Sequence, residues 1–141
     1  MEGPEDRIAL TFHLQHEGRI QHRTEELEHS IIVAGGKTSI PFFQRVLNSF
    51  DIPYVVLHDT DLTVGINPDS QAVEENRNKA IADLLNGNRV VTFPIKLEES
   101  LGHAGHLRDQ FDAYQYFKDP SNFTQAAKDV LDQVITGNGQ Q

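Results

Sequence analysis

Apolar and polar positions along this chain change period several times, and each change marks an element. Over 5-EDRIALTFHLQHE-17, Ile8 and Phe12, then Leu10 and Leu14, recur at helical spacing, which predicts a first helix. The stretch 18-GRIQHRTEELEHS-30 is polar, with a charge run that reads as a solvated linker or helix end. An apolar, β-like run closed by two glycines, 29-HSIIVAGG-36, comes next. In 37-KTSIPFFQRVLNSF-50 the stripe Ile40, Phe43, Leu47 and Phe50 predicts a second helix. Pro41 suits its first turn, where a missing N–H costs nothing. The run 53-PYVVLHD-59 predicts a strand.

Beyond Pro68, 70-SQAVEENRNKAIADLLNG-87 reads as a capped helix, with Ser70 at its start and Gly87 just past its end. A strand over 89-RVVTFPI-95 leads into 97-LEESLG-102, and helices over 104–117 and 121–135 are split by 118-KDPSN-122. The tail 137-GNGQQ-141 is expected to fray, leaving residues 1–136 as one domain. Strands alternating with helices predict an α/β fold, an open and mostly parallel sheet flanked by helices. Chemistry in such sheets gathers at the carboxyl ends of strands. That rule selects Gly35-Gly36-Lys37, Asp59-Thr60-Asp61 and the segment from Pro94 to Glu99.

Composition narrows the class. The 141 residues suffice for a single core, and no apolar run approaches the ~18 residues of a membrane span. The absence of cysteine excludes thiolate metal sites and disulfides, in keeping with a cytoplasmic location. A net charge of −9 argues against a generic basic nucleic-acid-binding face, though not against a nuclease whose acidic site is neutralised by cations.

The candidate chemistry centres on Asp59 and Asp61, at the end of a β-branched run where unpaired charge costs several kcal/mol. The nearby 34-AGGKTS-39 looks like the end of a phosphate-binding P-loop. That motif needs a glycine five residues before Gly36, where this chain has Ile31. Lys37 keeps some interest as a cation able to approach a phosphate. The run Asp59-Thr60-Asp61-Leu62-Thr63 also fits the D-x-D-x-[TV] signature of haloacid-dehalogenase (HAD)-like phosphatases, with Asp59 as nucleophile and Asp61 as acid/base.

The order of segments says more than any one of them. The series 2-EGPED-6, 29-HSIIVAGGKTSIPFFQRVL-47, 52-IPYVVLHDTD-61, 94-PIKLEESLG-102 and 118-KDP-120 resembles the Toprim domain of the OLD (overcoming lysogenization defect) family of ATP-dependent endonucleases. The resemblance implies a Toprim, Rossmann-like fold and divalent-metal-dependent DNA cleavage, with Mg²⁺ or Mn²⁺, two ions in all, as cofactor. Carried over residue by residue, it implies Glu2 as the glutamate after the first strand, Asp59 and Asp61 as the Asp-x-Asp pair, and Asp6 as the acid one helical turn beyond Glu2. It further implies Glu98 as the later acid, with Glu99 in reserve, and Lys118 as the lysine near the scissile phosphate. The catalytic set is then Glu2, Asp59, Asp61, Glu98 and Lys118, and the metal set Glu2, Asp6, Asp59, Asp61 and Glu98.

Plainer roles compete with each of these. Asp6 or Glu5 would favour a helix N-terminus, Asp59 and Asp61 would cap a turn, and Lys118 would serve as a helix C-terminal cation. His103 and His106 sit three apart without a third ligand nearby, which reads as a polar loop. The family architecture places an ATPase domain before Toprim, and a first strand ending in the glutamate. This chain opens on Met1-Glu2-Gly3, so both are expected to be missing. Sheet edges left without that strand would favour self-association or strand exchange in homo-oligomers, and nuclease activity of the chain alone is expected to be weak or absent. DNA is the expected partner and a membrane is not. A non-catalytic Toprim remnant serving in assembly is the alternative function.

Overall fold

A computed structural model describes residues 1–21, 29–103, 107 and 109–136. Helix α1 (Pro4–His16) opens the chain. A 3-10 turn at Lys37–Ser39 leads into α2 (Ile40–Ser49), then strand β1 (Val55–Asp59), helix α3 (Pro68–Asp83) and strand β2 (Arg89–Phe93). A single turn of helix, α4 (Leu97–Ser100), precedes α5 (Gln110–Phe117) and α6 (Gln125–Thr136). Among the described residues the sheet has two strands, β1 and β2. They pair in parallel with Val55 opposite Arg89 and Asp59 opposite Phe93.

Side-chain alternation along β1 sorts the helices into two layers. Leu57 faces a large core built with Ile8, Leu10 and Phe12 of α1, Phe117 of α5 and Leu131 of α6. Val56 faces the opposite side and packs with Ile40 of α2 and Ile81 of α3. The result is a mixed α/β architecture, helices on both faces of a small parallel sheet, consistent with a Toprim-like fold. No helix among the described residues is long and apolar enough to cross a membrane.

Several features differ from those predicted. Phe50, expected on the buried stripe of the second helix, is its C-cap residue and stands exposed. The apolar run 29–36 does not pair as a strand. Among the described residues, Met1 and Glu2 are what bonds to its main chain, with Met1 N donating to Ile32 O at 2.9 Å and Ala34 N to Met1 O at 2.9 Å. Two residues are too short a partner for a ladder, and Gly35 and Gly36, at φ 83° and 140°, then turn the chain away. The cap of α3 is Asn67 rather than Ser70, its side chain accepting from Ser70 N at 2.9 Å. β2 ends at Phe93 because Pro94 has no N–H to extend the ladder. The predicted linker centre 22–28, His106 and the tail 137–141 lie outside the described residues.

An apolar groove of about 520 Å³ is lined by Met1, Ile31, Ile32, Val55 and Val56, with Phe43 and Leu47 of α2.

The core assignments predict a sharp contrast. Leu57→Ala, at a fully buried position, should cost about 2–5 kcal/mol in urea unfolding. Phe42→Ala, at a position 62% exposed, should stay within about 0.5 kcal/mol.

Candidate metal centre

The end of β1 gathers the acidic residues. Glu2 lies beside it, with its N–H donating to Leu57 O at 3.1 Å and its Oε2 accepting from Asp59 N at 3.0 Å. The Glu2 carbonyl in turn accepts from Gly35 N at 3.1 Å and Gly36 N at 3.0 Å. Both glycines sit at positive φ, which is what aims two successive N–H groups at one oxygen. The Gly-Gly pair therefore anchors a glutamate's main chain and does not form a phosphate loop.

Asp6 sits in the first turn of α1, where its Oδ2 accepts from Gly3 N at 3.0 Å, half of a capping box. The capping role and a place in the acidic group coexist in one side chain. Asp59 Oδ1 accepts from Leu97 N at 3.2 Å, tying β1 to the start of α4. Glu98 lies in that helix, and its Oε1 accepts from Leu107 N at 3.3 Å. Past the strand, Thr60 N donates to Phe93 O at 3.2 Å and Asp61 N to Ile95 O at 2.9 Å. Thr60 Oγ1 also bonds Pro94 O. Asp61 itself adopts φ 59°, a left-handed conformation that aspartate tolerates better than most residues.

Lys37 closes the other side. It is buried, and its Nζ meets Asp61 Oδ2 at 2.7 Å, Glu74 Oε2 at 2.9 Å and Thr60 O at 3.2 Å. Asn78, one turn after Glu74 on α3, donates from Nδ2 to the same Thr60 carbonyl at 3.0 Å. Glu74 and Asn78 were not singled out in the sequence. Neighbouring Glu75 carries the same charge, and nothing in the order of residues says which glutamate faces inward.

The electrostatics show how crowded the negative charge is. Burial pushes the Asp59 carboxyl up to about 8, and Asp6, Glu2, Asp61 and Glu98 add repulsion. Burial pushes Asp6 up to about 7, against the opposing Gly3 N–H. Glu2 is raised for the same first reason, with the Asp59 N–H opposing. Burial acts to lower the Lys37 ammonium, but its bonds to Asp61 and Glu74 more than offset this, and the net shift is upward. His58 faces the α2–α3 side, as alternation along β1 predicts, and burial lowers it. Its Nδ1 lies 2.7 Å from Asp59 O, and a carbonyl only accepts, so Nδ1 carries the proton.

Lys118 stands exposed at the C-terminal cap of α5, where its N–H donates to Tyr114 O at 3.0 Å. It is not among the groups that act most strongly on Glu2, Asp6 or Asp59. Glu99 also lies in α4. His103 packs edge-on against Tyr116.

Chemically, the donors suit a hard divalent ion. They are carboxylate oxygens, and burial raises the Asp6 carboxyl to about 7 and the Asp59 carboxyl to about 8. Among the described residues, however, no three acidic or histidine side chains already stand close enough together to hold an ion. Their oxygens are engaged with main-chain N–H groups and with Lys37, so ligation would require these side chains to rearrange.

Residues 1–61 match the family model described as "Overcoming lysogenization defect protein-like, TOPRIM domain". Over that segment the chain is similar to OLD-like Toprim domains, in keeping with the order of its motifs. The matched segment contains Glu2, Asp6, Gly35-Gly36-Lys37, Asp59 and Asp61, whereas Glu98 and Lys118 lie beyond it. No curated protein matches the chain. Toprim domains as a class are tied to divalent metals and nucleic-acid chemistry.

The raised carboxyls give a pH signature. Asp59 and Asp6 bind protons more tightly folded than unfolded, where their ordinary value is 3.8. Their stabilising contribution is full below that value and is lost as pH rises through about 7 and about 8. In chelator, thermal unfolding should therefore occur at lower temperature at pH 8.5 than at pH 5, and Asp59→Asn should flatten the difference. A profile of the opposite slope in the wild type, unchanged by Asp59→Asn, would refute this electrostatic picture.

Proposed function

We propose that residues 1–136 form one Toprim-like domain whose function is divalent-metal-dependent hydrolysis of DNA phosphodiester bonds, in the manner of OLD-family endonucleases. The observation that carries the reading is the convergence of Glu2, Asp6, Asp59 and Glu98 on one strand end, with their charges repelling one another. Such a group has a use for cations that an ordinary surface lacks. Glu2, Asp6, Asp59, Asp61 and Glu98 would hold Mg²⁺ or Mn²⁺, two ions in the full site. Bound there, the metal would lower the pKa of the attacking water and stabilise the leaving oxygen.

The protein's own contribution is to hold the oxygens and to admit the substrate. With a net charge of −9, the domain repels a phosphate backbone until cations intervene, so DNA binding itself should depend on metal. Lys118 is the cation assigned to the scissile phosphate, where it would stabilise developing negative charge. Its exposure at the end of α5 suits a group that meets substrate. An ATPase domain belongs to the wider family architecture. The absence of cysteine suits a cytoplasmic setting.

The phosphatase reading would make Asp61 a proton donor or acceptor to the leaving group. The 2.7 Å ion pair with Lys37 favours a structural use of that carboxylate instead. The non-catalytic remnant has less support, because the five carboxylates are kept and four of them are held by main-chain N–H groups.

Supercoiled plasmid should be nicked by the wild type only with Mg²⁺ or Mn²⁺ present, and Asp59→Ala should reduce nicking to background. Release of phosphate from a small phosphomonoester without nicking would favour the phosphatase. Neither activity, in a folded protein that binds Mn²⁺, would favour the remnant.

Self-association belongs to the same proposal, with a second copy meeting β1 at the apolar groove. β1 has one strand partner among the described residues, and Phe50 and Ile52 near the groove are exposed apolar groups. Sedimentation velocity should show mass above 15.9 kDa that rises with concentration. A monomer throughout would exclude it.

A further inference from the structure

The ammonium of Lys37 has three N–H donors and three acceptors around it: Asp61 Oδ2, Glu74 Oε2 and Thr60 O. Its hydrogen-bonding capacity is used up inside the protein, which leaves nothing to offer a phosphate. A phosphate contact by Lys37, and equally a solvated role, therefore gives way to a different one. We propose that Lys37, braced from behind by Glu74, is a positioning residue that fixes the Asp61 carboxylate for divalent-cation binding.

Asp61 needs such a device because of where the chain puts it. It lies two residues past the end of β1 at positive φ, so no strand neighbour orients its side chain. The N–H bond to Ile95 O sets its main chain only. Lys37 then takes Oδ2, and a cation would use Oδ1. Glu74 is aimed in its turn: Arg77 donates to Oε1 at 2.7 Å, one turn along α3, while Oε2 goes to Lys37. Asn78 and Lys37 together hold the Thr60 carbonyl, so both residues of the Thr60-Asp61 turn are held through α3. This arrangement links a helix that contributes no ligand to the acidic end of β1. Partners of this kind, one bond removed from an ion, typically change metal affinity by 10–100-fold when lost.

The inference rests on the metal-site reading above, and two measurements on the full chain separate them. The first is Mn²⁺ titration followed by electron paramagnetic resonance. Lys37→Met and Glu74→Ala should each weaken binding by ~10-fold or more. Glu74→Gln, which keeps an acceptor for Lys37, should recover most of it. Lys79→Met, at an exposed position on the same helix, should leave it unchanged. Equal or tighter Mn²⁺ binding by both Lys37→Met and Glu74→Ala would overturn the proposal, since Lys37 would then be a competitor for Asp61.

The second measurement needs no metal. In ¹⁵N spectra of the chelated protein, Lys37→Met should shift or broaden the Thr60 and Asp61 amides. Glu74→Ala should do so too, and serves alone if Lys37→Met does not fold. Unmoved amides in the folded variants would overturn the positioning role. A wild type that takes up no Mn²⁺ would instead overturn the metal-site reading, and the amide shifts would still decide the positioning role.

Discussion

Carboxylates at the end of a parallel strand repel one another, and the fold in this region is arranged around holding them despite that. Asp6 is held by Gly3 N–H, Glu2 by Asp59 N–H, Asp59 by Leu97 N–H and Glu98 by Leu107 N–H, while Asp61 is held by Lys37. At Asp6 and Glu2 the bond favours the charged form and so works against burial, which favours the neutral one. For Asp59 and Asp6 burial wins, and their carboxyls titrate near about 8 and about 7. The site is thus built with an excess of negative charge that one lysine only partly balances.

The same bonds join parts of the chain that are remote in sequence. Glu2 links the N-terminus to β1 and to the Gly35-Gly36 turn, and Asp59 links β1 to α4. Lys37 links the segment before α2 to the Thr60-Asp61 turn and to α3. The -Gly-Gly-Lys- run therefore serves twice: its glycines secure the main chain of one acid, and its lysine secures the side chain of another. A cation entering this group would relieve repulsion that the folded protein otherwise carries.

Much of this was legible beforehand. The helical stripe of α1 and the β-branched strand follow from side-chain period. Alternation along β1 placed His58 on the face opposite Asp59. The order of Glu2, Gly-Gly-Lys and Asp-x-Asp pointed to the family whose model matches residues 1–61. The run 29–36 misled because β-propensity states a preference for extended backbone and not the existence of a partner strand. Lys37 was legible as a cation near the acids, but its three acceptors were not.

The sequence by itself determined which residue types sit at strand ends, because the periods of burial and the turn residues are local properties of the chain. It also excluded thiolate ligands, since no cysteine is present. Tertiary structure decided which of two adjacent glutamates on α3 meets Lys37, because only packing sets a helix's rotation against its neighbour. It likewise decided that Gly35 and Gly36 serve a glutamate's carbonyl and not a phosphate, since that depends on Met1 and Glu2 lying beside a segment more than thirty residues away. Those contacts span the chain, and no local pattern encodes them.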